Sequence, residues 1–241
     1  MRKILAVGAA AGVLVALAGF GPAYAGDGGH GHGHGHGSGD NGPAELTVFH
    51  GIPGVTVDVY VDGALTLDDF TPGSFSDTLS LDPGTYSVAI TAADAADASN
   101  PVIGPVDLAL ESGDNYTAVA HLTESGEPTA TLFTNNPDSV GKGNGRLTVR
   151  HVAAAPSVDI LANGAAAITD LTNPDEVELT LPTGTISAAV AATGTTDPLL
   201  GPADVSIEKR TNTIVYAYGS LADDTLALAV QTVALEKGHR H

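Results

Sequence analysis

"LTVFHGIPGVTVDVYVDGA", residues 46–64, is answered 101 positions later by "LTVRHVAAAPSVDILANGA", residues 147–165. Leu, Thr, Val, His, Val, Asp, Gly and Ala fall in register without a gap. Two further blocks follow in the same order. "LSLDPGTYSVAI" (79–90) matches "LTLPTGTISAAV" (179–190), and "NPVIGPVDLALE" (100–111) matches "DPLLGPADVSIE" (197–208). Similarity that returns in a fixed order at nearly fixed spacing is the mark of a duplicated domain. Between the copies, "NNPDSVGKGNG" (135–145) is rich in turn formers and lacks apolar periodicity, so it reads as a linker.

The period inside each copy is two, the period of a strand. Val55, Val57, Val59 and Val61 alternate with Thr56, Asp58, Tyr60 and Asp62. Tyr86, Val88 and Ile90 alternate with Ser87, Ala89 and Thr91. "IPG" (52–54), "DG" (62–63), "DPG" (82–84), "GP" (104–105) and "SGDN" (112–115) punctuate these runs with turn residues. The pattern predicts seven or eight short strands per copy, and "TAADAADAS" (91–99) is expected to be a loop because Pro101 follows it. The expected fold is all-β: two tandem antiparallel β-sandwiches of immunoglobulin-like or transthyretin-like size. The expected boundaries are a leader at 1–25, a Gly/His-rich disordered arm at 26–43, repeats at 44–135 and 146–236 around a linker at 136–145, and a tail at 237–241. Each repeat is expected to carry its own core.

"VFHGIPGVTVDVYVDG" (48–63) followed by "LSLDPGTYSVAI" (79–90) resembles the bacterial family of domain of unknown function 4397. In that family a strand ending in His leads through a short turn to "VDVYVDG" and then to a "pGtY" strand. The second copy keeps His151, Val158, Asp159 and Gly164 but reads "ILANG" at 160–164 and has Ile186 in place of the tyrosine. The resemblance covers nearly all of residues 45–235. It implies exported or envelope-associated β-domains, often in tandem, and brings no catalytic residues.

Arg2 and Lys3, the apolar run Ile4–Phe20, the breakers Gly21 and Pro22, and "AYA" at 23–25 have the layout of a cleaved secretory leader. The apolar run is shorter than the ~20 residues of a membrane span. The expected location is therefore secreted or extracellular, in or near the cell envelope, with no membrane span left after cleavage. Nine lysines and arginines face 28 acidic residues, for a formal charge of −19. That balance argues against nucleic acid, whose phosphates need cations. Cysteine is absent, which removes disulfides and thiol chemistry. A monomer is expected.

Chemistry has few places to reside. "GHGHGHGHG" (29–37) puts His30, His32, His34 and His36 on one side of an extended chain, roughly 6–7 Å apart. Flexible glycines would let two or three imidazoles close on Zn²⁺, Ni²⁺ or Cu²⁺, although the same Gly/His pattern also suits a plain spacer. No cofactor is required. His50 and His151 each end a strand eight residues before Asp58 and Asp159. At that spacing a histidine–aspartate pair pinning a corner is expected. A general-base dyad is the alternative, disfavoured because no nucleophile recurs beside it. "LPTGT" (181–185) reads as a turn and strand, and "DAADASN" (94–100) as a solvated loop rather than a Ca²⁺ loop. No metalloprotease, serine-hydrolase or phosphate-loop motif is present. The expected function is a non-catalytic binding or structural module with an extracellular or cell-wall partner. Metal binding through the arm stands second and an uncharacterised hydrolase third.

Overall fold

Among the described residues there are sixteen strands, eight from each repeat. The computed structural model describes residues 42–237. The first repeat supplies β1 (Ala44–His50), β2 (Val57–Val61), β3 (Ala64–Phe70), β4 (Leu79–Leu81), β5 (Gly84–Ala92), β6 (Ile103–Leu110), β7 (Asn115–Leu122) and β8 (Pro128–Thr134). The second supplies β9 (Asn144–Ala154), β10 (Val158–Ala162), β11 (Ala165–Leu171), β12 (Glu176–Pro182), β13 (Gly184–Ala192), β14 (Pro198–Ile207), β15 (Thr211–Ser220) and β16 (Ala227–Ala234). The expected linker thus gives up its last two residues to β9, and residues 93–100 form turns and bends as expected.

The sheets have the orders β4-β1-β7-β8 and β3-β2-β5-β6 in the first repeat. In the second they are β12-β9-β15-β16 and β11-β10-β13-β14, the same orders strand for strand. Two four-stranded sheets per repeat differ from the immunoglobulin arrangement, which puts strands A, B, E and D against C, F and G. Every pair is antiparallel except one in each repeat, β1 with β7 and β9 with β15. Those parallel pairs lie at the centre of their sheets, the position where parallel strands are normally covered on both faces.

Covered they are. Leu46, Val48, Ala118 and Ala120 face inward with Val57, Val59, Ile90 and Leu108 of the partner sheet to form the first repeat's core. Leu147, Val149, Ile160, Val190, Val205 and Val215 do the same in the second. The residues between them on β1, β7, β9 and β15 form a third cluster. Phe49, Val119, Val152, Ile214 and Tyr216 are all fully buried there, with Phe133 and Ala229 beside them. This cluster joins the two repeats, and each such side chain contributes about 1.5–3 kcal/mol of transfer free energy. Each repeat thus has its own core, as expected, and among the described residues a third, shared cluster lies between the two. Alternation misled at one point. Val55 lies outside β2 and is 48% exposed, while Asp58 and Tyr60 on its supposed outer face are buried.

The private cores are not equally filled. The second holds a wholly apolar cavity of about 60 Å³ lined by Leu147, Val149, Ile186, Ala188, Val205 and Val215 among others. The void in the first is about 20 Å³. Ala188 occupies the place that Val88 takes in the first repeat, so the larger void follows from lost methyl groups. Substituting Ala188→Val is expected to stabilise the protein by about 1 kcal/mol, the usual gain for filling a cavity. Urea denaturation monitored by far-UV circular dichroism measures it.

Candidate functional site

The duplicated histidines sit where β1 and β9 hand over to the next segment, and they act identically. His50 Nε2 lies 2.9 Å from the Val55 carbonyl, and His151 Nε2 lies 3.1 Å from the Pro156 carbonyl. Since a carbonyl only accepts, Nε2 carries the proton in both rings. Nδ1 then accepts weakly from the backbone two residues on, at Ile52 (3.4 Å) and Ala153 (3.5 Å). Each imidazole thus clamps a five-residue excursion of the chain. Both rings are fully buried, and desolvation holds their pKa below the ordinary 6.5. They are neutral spacers with both nitrogens engaged.

The aspartates pin a different corner. Asp58 Oδ1 accepts the Asp69 N–H at 2.9 Å, and Asp159 Oδ1 accepts the Asp170 N–H at 2.9 Å. Asp69 and Asp170 have φ of 51° and 59°, in the left-handed region where a non-glycine residue needs support. Asp159 Oδ2 also takes the Gly194 N–H at 2.9 Å. These backbone donors hold the Asp159 carboxyl below the usual carboxylate range. The expected pairs His50–Asp58 and His151–Asp159 are therefore corrected: each partner meets backbone, and among the described residues neither pair forms a salt bridge. The spacing of eight was real, but it marks two adjacent corner devices. A general-base dyad has no geometry here.

Asp58, Asp68 and Asp69 bring one carboxylate oxygen each to within 4.8 Å of one another. Such an oxygen set suits a hard cation such as Ca²⁺ rather than the softer ions expected of the arm. The second repeat has Thr169 in place of Asp68, so the trio lies outside the duplicated design. In the loop 94–100, Asp97 accepts the Ser99 N–H at 2.9 Å, and the Ser99 side chain, followed by this backbone donor, lowers its pKa. His30, His32, His34 and His36 lie outside the described residues.

Sequence reasoning missed the polar centre of the interface. "LTVFH" and "LTVRH" differ only at Phe49 and Arg150, and both side chains point into the shared layer. Phe49 stacks on Phe75, its cross-strand neighbour, with ring centroids 4.5 Å apart. Arg150 instead pairs with Glu176, its own cross-strand neighbour, through Nε at 2.7 Å. An aromatic pair in one copy has become an ion pair in the other, both being favourable cross-strand combinations. Arg150 is 1% exposed. Its Nη1 donates to Tyr216 Oη at 2.7 Å and its Nη2 to Asn135 Oδ1 at 2.9 Å. The ring then closes. Tyr216 Oη donates to Gln231 Oε1, Thr117 Oγ1 donates to the same oxygen, and Asn135 Nδ2 donates to Thr117 Oγ1. The guanidinium carbon also lies 4.3 Å from the Phe133 ring centroid, a cation–π distance. One signal was available: the outward positions of "LTVFH", "NYTAVAHL" and "TNTIVYAY" carry no carboxylate, unlike those of "VDVYVDG".

A third buried histidine, His121, belongs to this layer. Its Nδ1 faces the Leu122 carbonyl at 3.0 Å, and its Nε2 faces Thr131 Oγ1 at 2.9 Å. Desolvation lowers its pKa, helped by the nearby His151.

No curated protein matches the chain. Residues 44–161 match the family described as Domain of unknown function (DUF4397), a span that takes in the first repeat and all but the last residue of the second repeat's opening two strands.

Two outcomes follow. Arg150→Ala is expected to cost roughly 3 kcal/mol, because it leaves buried partners without a donor; equilibrium urea unfolding measures it. For the histidines, a depressed pKa means the unfolded chain binds more protons just below pH 6.5. Stability is complete above that pH and falls as pH drops from 6.5 toward the folded-state values. The slope approaches about 1.4 kcal/mol per pH unit for each histidine still neutral in the fold. A flat profile between pH 7 and 5 in the same unfolding assay would contradict it. Over residues 44–161 this chain therefore matches the family described as Domain of unknown function (DUF4397), as the resemblance in its sequence led one to expect.

Proposed function

We propose that the chain is an exported, non-catalytic binding or structural module of the cell exterior. The observation that carries this reading is how the duplicated polar residues are engaged. His50 and His151 hold backbone at both ring nitrogens, and Asp58 and Asp159 receive backbone N–H groups. A general base needs a free lone pair within reach of a substrate proton. Duplication of corner clamps is what a scaffold requires. The joint between the repeats supports the same reading, since a buried and hydrogen-bonded layer makes a rigid two-part block that can present a surface without flexing.

A second reading concerns metal. His30, His32, His34 and His36 alternate with glycine, and such a segment chelates Zn²⁺, Ni²⁺ or Cu²⁺ through two or three imidazoles. The β-domains would then be the carrier.

Both readings meet one set of experiments. The chain starting at Gly26 is expected to be retained by a native envelope fraction and to turn over none of a panel of chromogenic ester, peptide and glycoside substrates. Turnover that disappears in a folded His50→Gln or His151→Gln variant would sink the non-catalytic reading. Deleting residues 26–42 is expected to abolish most Zn²⁺ and Ni²⁺ binding by calorimetry and to leave the melting temperature in place.

A further inference from the structure

The lysines and arginines within residues 42–237 are Lys142, Arg146, Arg150, Lys209, Arg210 and Lys237. The first repeat contains none. Arg146 and Arg150 are buried in ion pairs with Glu178 and Glu176. Every other one of these cations lines a single recess of about 360 Å³, together with Ser139, Val140, Gly141 and Glu236. Lys142, Lys209, Arg210 and Lys237 are exposed and, among the described residues, form no ion pair. In a protein with 28 acidic residues, unpaired cations would gain most by dispersing among the carboxylates. Gathered in one recess, they repel one another.

The recess is framed by backbone. The Arg210 N–H donates to the Asn144 carbonyl at 3.4 Å, and the Leu235 N–H to the Arg210 carbonyl at 2.9 Å. The Glu236 N–H donates to the Pro137 carbonyl at 2.8 Å. Linker, β14–β15 turn and the end of the last strand are thereby tied together. Arg210 itself is informative. It has a φ of 57° and stands where the first repeat has Gly113, with a φ of 79°. Putting an L side chain in this conformation costs roughly 1–2 kcal/mol relative to glycine. The second repeat carries that cost and places a cation there, with Lys209 beside it where the first repeat has Ser112.

We infer that this recess binds a compact soluble polyanion, a molecule with two or more closely spaced phosphate-type charges. The inference rests on the binding-module reading and names its ligand class. Lys142, Lys209 and Lys237 serve as point charges, and the Arg210 guanidinium offers a fork of N–H donors to an oxyanion. A concave frame enclosed by three chain segments fits a compact ion better than a flat anionic membrane.

The test is calorimetric titration of the chain starting at Gly26 with inorganic tripolyphosphate. Low ionic strength, a metal chelator and about pH 8 keep the arm's histidines neutral and metal-free. Saturable one-site binding that weakens as salt rises is expected. The double variant Lys142→Glu, Lys209→Glu is expected to lower affinity by about tenfold or more, as reversal of two surface charges would, at an unchanged melting temperature. Deleting residues 26–42 is expected to leave the affinity as it was. No saturable binding, binding indifferent to the double variant, or binding only to phosphatidylglycerol vesicles would each overturn the assignment. Release of inorganic phosphate by a chain whose binding still depends on Lys142 and Lys209 would uphold the recess and overturn the non-catalytic reading instead.

Discussion

A guanidinium cannot shed its charge in a protein, so burying Arg150 obliges the fold to meet its donors. That obligation organises the joint between the repeats. Glu176 faces it across the strand pair, Tyr216 Oη and Asn135 Oδ1 take its terminal nitrogens, and Phe133 offers its ring face. Asn135 opens the connection between the repeats, so the linker is anchored at its first residue. Arg146 Nη1 donates to the Asn136 carbonyl and Asn136 Nδ2 to Glu178, which continue the anchoring. What reads in sequence as a flexible tether is seated on the second repeat from its start.

The same arginine shows how duplication diverged. Two identical outer faces could pack on one another, but each would pack equally well on the face of another molecule. Phe49 with Phe75 and Arg150 with Glu176 make the two faces different at one matched position. Docked on an apolar stranger, the second face would leave a buried cation without acceptors, an unfavourable state. Docked on its own first repeat, it finds Asn135 and Phe133. Thr117, Asn135 and Tyr216, all buried, complete a network with no member left open, the condition under which a buried polar cluster specifies one arrangement.

Charge is sorted with similar economy. The first repeat has acids and neither lysine nor arginine, the interface holds two buried arginines, and the remaining described lysines and arginines collect at one recess. So acidic a composition repels other anions over long range. Among the described residues, the exposed lysines and arginines all line that recess.

The strands, the turns and the duplication were legible from single residues and their periods, because alternation reports a burial that local geometry imposes. "DG" at 62–63 and "DPG" at 82–84 mark chain reversals wherever they occur. The positions of His50, Asp58, His151 and Asp159 at corners were legible for the same reason. Their partners were not. Val55, Pro156, Asp69 and Asp170 supply backbone groups, and every residue supplies the same backbone groups, so composition cannot say which is near. The parallel pairing of β1 with β7 and the stacking of one repeat's sheet on the other's were likewise hidden. Period two distinguishes an inner face from an outer one, and an outer face made of Thr47, Phe49, Thr117 and Val119 reads as surface until a second layer is laid against it. Arg150 meets Tyr216 across 66 residues, and Thr117 meets Gln231 across 114. Contacts at such separations depend on how whole sheets stack, and that was decided only when the chain had folded.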